Sequence, residues 1–340
     1  MFLQMKYRNE VVFLGKIGIT TSVPVEVLIA SGNIPVDLNN IFVNNADTLK
    51  QVELAEADGF PRSICTWIKG LYASVVQSND IDTIIGVVEG DCSNTRGLIE
   101  VLAKKGVKTI PFAFPHSKDY NILDANITRL CEELGTTRCA SLSIKHTLDK
   151  IRQKVAYVDL LTWKDNKVTG FENHLWQVSC SDFDSDYVTF DKRLDEFIDA
   201  AQKRVPDKKS IRLGYMGVPP IFTDIYNFIE TLDARVVYNE VQLQFTMLDG
   251  IGNDDITKVY LDYTYPYDLN GRLADIQKNI QQRNLDGMIH YTQAFCYRGI
   301  EDIIVKDTLD IPVLTLEGDR PGMLDARTKL RIESFIDMLE

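Results

Sequence analysis

Ile81-Asp82-Thr83-Ile84-Ile85-Gly86-Val87-Val88-Glu89-Gly90-Asp91-Cys92 is an apolar run that ends in a cysteine, and Leu285-Asp286-Gly287-Met288-Ile289-His290-Tyr291-Thr292-Gln293-Ala294-Phe295-Cys296 repeats the pattern. Each begins with an aliphatic residue followed by Asp, and each reaches its thiol eleven residues after its first residue. β-branched and aliphatic residues in a short run bounded by glycine read as a buried strand. Two such strands would each present a thiol at a carboxyl end, the edge where open α/β sheets bind ligands.

The duplication extends outward from these strands. Phe13-Leu14-Gly15-Lys16-Ile17-Gly18 resembles Arg212-Leu213-Gly214-Tyr215-Met216-Gly217. A helical stretch follows each, Val25 to Ala30 and Ile225 to Leu232, and then a short strand, Ile34-Pro35-Val36-Asp37-Leu38 or Ala234-Arg235-Val236-Val237-Tyr238. Beyond each cysteine come a helix and another strand, Lys108 to Phe112 in one copy and Ile311 to Leu316 in the other. Short apolar runs alternating with helical patterns predict βαβ units around a parallel sheet. Repetition in order and spacing predicts two such lobes. The first spans residues 1–140 and carries Cys65 and Cys92. A helical connecting region spans 141–208 and contains an irregular acidic stretch from Ser179 to Asp186. The second lobe spans 209–340 and carries Cys296. It closes with a packed terminal helix marked by Leu324, Leu330, Ile332, Phe335, Ile336 and Leu339.

Composition narrows the function classes. A 340-residue chain with 45% apolar residues can bury two cores. A net charge of −12 argues against nucleic-acid binding. No apolar run is long enough to span a membrane. The stretch from Val11 to Ala30 is interrupted by Lys16, Pro24 and Glu26, unlike a signal peptide. A cytoplasmic location is therefore expected, with the six cysteines as reduced thiols or metal ligands.

The cysteines fall into two groups. Cys131 lies in a helical pattern, and Cys139 and Cys180 lack strand-end context; these three are expected to be inert and buried. Cys65 precedes the helix-like Thr66-Trp67-Ile68-Lys69-Gly70-Leu71-Tyr72, and Cys92 precedes the helix starter Ser93-Asn94-Thr95. A helix N-terminus lowers a thiol's pKa and favours the thiolate that metals bind. Spacing alone accommodates both one shared metal site and ordinary buried thiols, since no CxxC pair occurs. At the lobe-two position matching Cys65 the chain reads Tyr263-Thr264-Tyr265-Pro266, without a thiol. Three thiols and a gap would suit a 4Fe-4S cluster with one open iron. No GxxxxGK[ST] phosphate loop is present. His290 sits in the second cysteine-terminated strand, either as a core histidine or near the cleft. Glu26 follows the first strand, either as a solvated first-turn glutamate or as a cleft carboxylate with a catalytic role.

At these residues the sequence resembles the 2-hydroxyacyl-CoA dehydratase and benzoyl-CoA reductase subunits. The resemblance spans nearly the whole chain. It rests on Pro24-Val25-Glu26 with Ala30-Ser31-Gly32-Asn33-Ile34-Pro35-Val36, on Cys65, and on Gly90-Asp91-Cys92-Ser93-Asn94. It continues through Arg272, Leu285 to Ile289 and Phe295-Cys296, and closes with Ile311 to Asp319 and Arg327 to Ile336. It implies an α/β fold of two Rossmann-like lobes with extra helices, and a 4Fe-4S cluster held by Cys65, Cys92 and Cys296. It implies one electron received from a separate ATP-hydrolysing iron–sulfur activator protein, consistent with the missing phosphate loop. The activity implied is radical dehydration of a 2-hydroxyacyl-CoA through a ketyl radical, or a related acyl-CoA reduction. Asp91, Ser93, Asn94, His290, Gln293 and Tyr265 are then the expected surroundings of cluster or substrate. A homologous second subunit or a homodimer is implied as well. The segments around Cys65 and Cys92 differ in detail from the dehydratase versions, which leaves the substrate open. Two alternatives stand beside this: an electron-transfer or cluster-carrying accessory protein, and a double-cubane reductase. A two-lobed binding protein with core cysteines is a third.

Overall fold

The computed structural model describes residues 15–340. Phe13 and Leu14, read as the opening of the first strand, lie outside the described residues, as do Val11 and Val12. The remainder holds two four-stranded, fully parallel sheets.

In the first lobe the strands are β1 (Lys16–Ile19), β2 (Ile34–Asp37), β3 (Ile81–Glu89) and β4 (Lys108–Ala113), in spatial order β2-β1-β3-β4. In the second they are β5 (Ile211–Met216), β6 (Ala234–Asn239), β7 (Gly287–Gln293) and β8 (Val313–Gly318), in the matching order β6-β5-β7-β8. The two cysteine-terminated runs are thus the equivalent central strands β3 and β7. Burial explains their composition: Ile84, Ile85 and Val87 of β3 and every residue of β7 are buried, as expected of strands covered on both faces.

Between the lobes lie three helices, Arg138–Trp163, Gly170–Val178 and Tyr187–Gln202. Side chains mark where they begin. Thr137 accepts the Ala140 N–H, Asp186 accepts from Val188 and Thr189, and Thr169 with Glu172 forms a reciprocal capping box. This block has its own core, in which Leu148, Ile151, Val155, Phe183, Phe190 and Leu194 pack on Val25 and Ile29 of lobe one. The acidic stretch from Ser179 folds as two short 3₁₀ turns that press against β2: Asp182 accepts the Asp37 N–H at 2.7 Å.

The terminal helix, Ala326–Leu339, buries Ile332, Phe335 and Ile336. Leu330 departs from the expectation and is 62% exposed. It sits two residues from Ile332, about 200° around the helix, and so faces water. Cys139 departs as well: it lies exposed near the start of the long helix, while Cys131 and Cys180 are buried as expected. Among the described residues no helix is long and apolar enough to cross a membrane.

Candidate functional site

The carboxyl edges of the two sheets border one cavity of about 280 Å³. Thr20, Thr21 and Ser22 reach it from the end of β1, Asp37 from β2, and Asp91 and Cys92 from the turn after β3. Gln293 ends β7 and lines it, with Cys296, Tyr297 and Arg298 just beyond. Cys65 completes the set as the residue that caps the helix Thr66–Val76. Three thiols distant in sequence therefore converge on one space, two from lobe one and one from lobe two.

Local backbone places each thiol. Gly90 has φ +98°, and a Cβ there would come within 2.7 Å of Phe114 and 3.0 Å of Pro266, so only glycine makes the turn into Asp91-Cys92. Phe295, just before Cys296, also holds a positive φ of 66°, rare for an aromatic side chain. Each sulfur faces a backbone N–H two residues on, from Trp67, Asn94 and Arg298, and Ile68 adds a second at Cys65.

The helix-start argument expects lowered thiol pKa values, and the structure reverses it. Burial pushes Cys65 up to about 11 and Cys92 up to about 12, and raises Cys296, outweighing the N–H groups that favour the thiolate. Loss of hydration in the apolar wall exceeds the gain from a few backbone dipoles. Such thiols ionise when a cation replaces the proton, which is how metal binding couples to thiol chemistry. Among the described residues no three His, Cys, Asp or Glu side chains converge on a point as ligands of a single ion would. A 4Fe-4S cluster takes each cysteine on a different iron, so its three sulfurs need only face a common space. The all-sulfur donors, the cavity between them and the N–H groups aimed at sulfur fit that kind of group.

Lobe two also grips the Cys92 turn. Tyr265 donates to Asp91 Oδ1 at 3.1 Å, and Tyr297 donates to the Asp91 carbonyl at 3.1 Å. Arg298 lies 4.5 Å over the Tyr265 ring and donates to the Tyr265 carbonyl at 2.8 Å. Burial raises the Asp91 carboxyl despite Arg298 nearby.

The remaining sequence candidates lie elsewhere. Glu26 is neither solvated nor on the cleft: it is fully buried, paired with Arg152 at 2.8 Å, and it accepts the Tyr260 hydroxyl at 2.8 Å. Its partner Arg152 lies 126 positions away in the connecting region, out of reach of any local pattern. His290 is a buried β7 residue held by Asp302 at 2.8 Å, its pKa lowered by burial, and it does not line the cavity. Ser93 and Asn94 also fall outside the lining, with only the Asn94 N–H turned to Cys92.

Asp37, Trp67 and Arg298 also line the cavity and were not among the sequence candidates. Asp37 is the most telling. It is buried at the end of β2, where it accepts from Ser181 at 2.6 Å and from the Asn39 N–H at 2.9 Å. Burial raises it, and the neighbouring Asp182 is pushed up to about 8 by burial and by Asp37. A strand-end aspartate in the motif Ile34-Pro35-Val36-Asp37 was the available signal.

Fold and site together define a two-lobed α/β protein with a thiol-lined cavity between parallel sheets. The chain belongs to the 2-hydroxyglutaryl-CoA dehydratase D-component family, whose family model matches residues 20–339. No individual curated protein matches it. The family is that of one component of a multi-component dehydratase, which implies partners.

Proposed function

We propose that this chain is the iron–sulfur subunit for radical dehydration of a 2-hydroxyacyl-CoA thioester, with Cys65, Cys92 and Cys296 holding a 4Fe-4S cluster. The observation that carries this is the convergence of three thiols from both lobes on one cavity, in a chain of this family. When bound, the cluster supplies a low-potential electron and, at an iron without a cysteine, a Lewis-acid position for the thioester carbonyl. The electron comes from an ATP-hydrolysing activator, since this sequence has no phosphate loop. Tyr265, Tyr297 and Arg298 brace the Asp91-Cys92 turn against lobe two and so hold the Cys92 thiol toward the cavity. Asp37, on the wall and raised by burial, is the carboxyl suited to hold a proton beside the substrate.

Iron and acid-labile sulfide per chain, measured after anaerobic purification, test this. About four irons per cluster are expected. Serine at Cys65, Cys92 or Cys296 should abolish them, while serine at Cys131, Cys139 or Cys180 should not. Hydroxyacyl-CoA turnover with the activator present then separates an enzyme subunit from an electron carrier. A folded chain that stays free of iron after reconstitution overturns the proposal.

A further inference from the structure

The wall of the cavity carries information about the acyl group, and the inference rests on the substrate class proposed above. Its broad faces are aromatic. Phe42 and Trp67 pack edge to face at 5.5 Å on the lobe-one side. Phe171, His174 and Tyr226 form a second aromatic cluster on the wall, the Tyr226 ring stacked on the imidazole at 4.7 Å. Phe222 adds a further ring.

The wall offers an anion no free cation, and its carboxyl groups give an anion nothing to bind. Asp37, Asp91 and Asp184 line it. Among the described residues lining it there is no lysine, and Arg298 is the single arginine. Arg298 is already engaged, with Glu301 at 3.2 Å, the Tyr265 carbonyl at 2.8 Å, and the Tyr265 and Tyr297 rings. His174 supplies no positive charge near neutral pH, because burial lowers it to about 3. What remains unsatisfied is neutral: Ser22 Oγ, Thr95 Oγ1 and Trp67 Nε1 are buried on this wall without hydrogen-bond partners. Hydroxyl and indole donors suit a hydroxyl or a thioester carbonyl. A carboxylate buried on this wall without a free cation would lose its hydration and gain nothing.

We propose that the site selects a 2-hydroxyacyl thioester whose side chain is uncharged and apolar, aromatic or branched aliphatic, and discriminates against acyl groups bearing a second carboxylate. The family's 2-hydroxyglutaryl namesake carries such a carboxylate, so this chain would act on a different acyl group.

Equilibrium binding of unreactive thioesters to the anaerobically purified full chain tests this by calorimetry. The probes are 3-phenylpropanoyl-CoA, 4-methylpentanoyl-CoA, glutaryl-CoA and free CoA. The two apolar thioesters are expected to bind at least tenfold more tightly than glutaryl-CoA, which should bind no better than free CoA. Leu175→Lys places a cation at a wall residue that is already 44% exposed and tolerates it. That variant should tighten glutaryl-CoA and shrink the ratio severalfold. A ratio below tenfold in the unmodified chain, including equal binding of every thioester and free CoA, overturns the inference. Iron measured on the same samples separates the two proposals. Selectivity without a cluster would remove the dehydratase role and keep the apolar site, whereas a cluster without selectivity would do the reverse.

Discussion

Arg272 offers the sharpest test of how the second lobe is held together. It is 1% exposed and donates to both oxygens of fully buried Glu240, Nε at 2.7 Å and Nη2 at 3.0 Å. Its third nitrogen reaches Glu301 at 2.6 Å, and Glu301 in turn meets Arg298 beside Cys296. Burial alone would raise Glu240; Arg272 reverses this and holds it below the usual carboxylate range. Arg272→Met preserves much of the side-chain volume but leaves Glu240 buried with one backbone donor, the Gly217 N–H. Stranding a buried charge costs about 3–5 kcal/mol. In Arg272→Met/Glu240→Gln the charge is gone and the acceptor for Gly217 remains, so a coupling of about 2 kcal/mol should be recovered. Urea unfolding followed by circular dichroism gives each value from the shift in midpoint at constant slope. Acid supplies an independent check. The intact pair stabilises above the ordinary glutamate pKa, and its contribution is lost as pH falls through the lowered folded value. The single variant, whose glutamate protonates readily, should close the gap with the parent protein as pH drops. A loss below about 1 kcal/mol for Arg272→Met, or strict additivity in the double variant, refutes the reasoning.

Other predictions concern different parts of the molecule. His174 has its pKa lowered by burial to about 3, so its contribution to stability is present above the ordinary histidine pKa and is lost as pH falls toward 3. Between pH 6.5 and 5 this amounts to about 2 kcal/mol, and His174→Phe should flatten the fall in melting temperature over that range; an unchanged slope would rule it out. Gly217→Ala should destabilise by about 3 kcal/mol or more, because φ is +101° and the new methyl meets the Tyr291 carbonyl. Thermal denaturation within about 1 kcal/mol of the parent would contradict that geometry.

What the sequence revealed was local. The runs ending in Cys92 and Cys296 announced equivalent strands because residue type and glycine punctuation are written within a dozen positions. The order and spacing of the repeat announced two lobes, and their shared strand order came from the fold. Side-chain environments needed the fold. Glu26 looked like a strand-end carboxylate, yet its partner is supplied by a helix far along the chain. Thiols at helix starts suggested easy ionisation, but a wall assembled from three regions removes water and reverses the balance. Trp67 and Arg298 sit beside cysteines in the sequence, and only the closed cavity shows that they face the same space as Asp37.

The long helix Arg138–Trp163 has a mechanical consequence. On it, Arg152 grips Glu26 of lobe one, and Asp159 grips Arg283 of lobe two at 2.7 Å. The two anchors stand seven residues apart, two turns along one face. A clamshell motion about the connecting region would have to tear one of these buried pairs, at a cost of several kcal/mol. The helix therefore works as a spacer that fixes the gap between the lobes. A swing of one lobe against the other is therefore opposed at both anchors on the same helix.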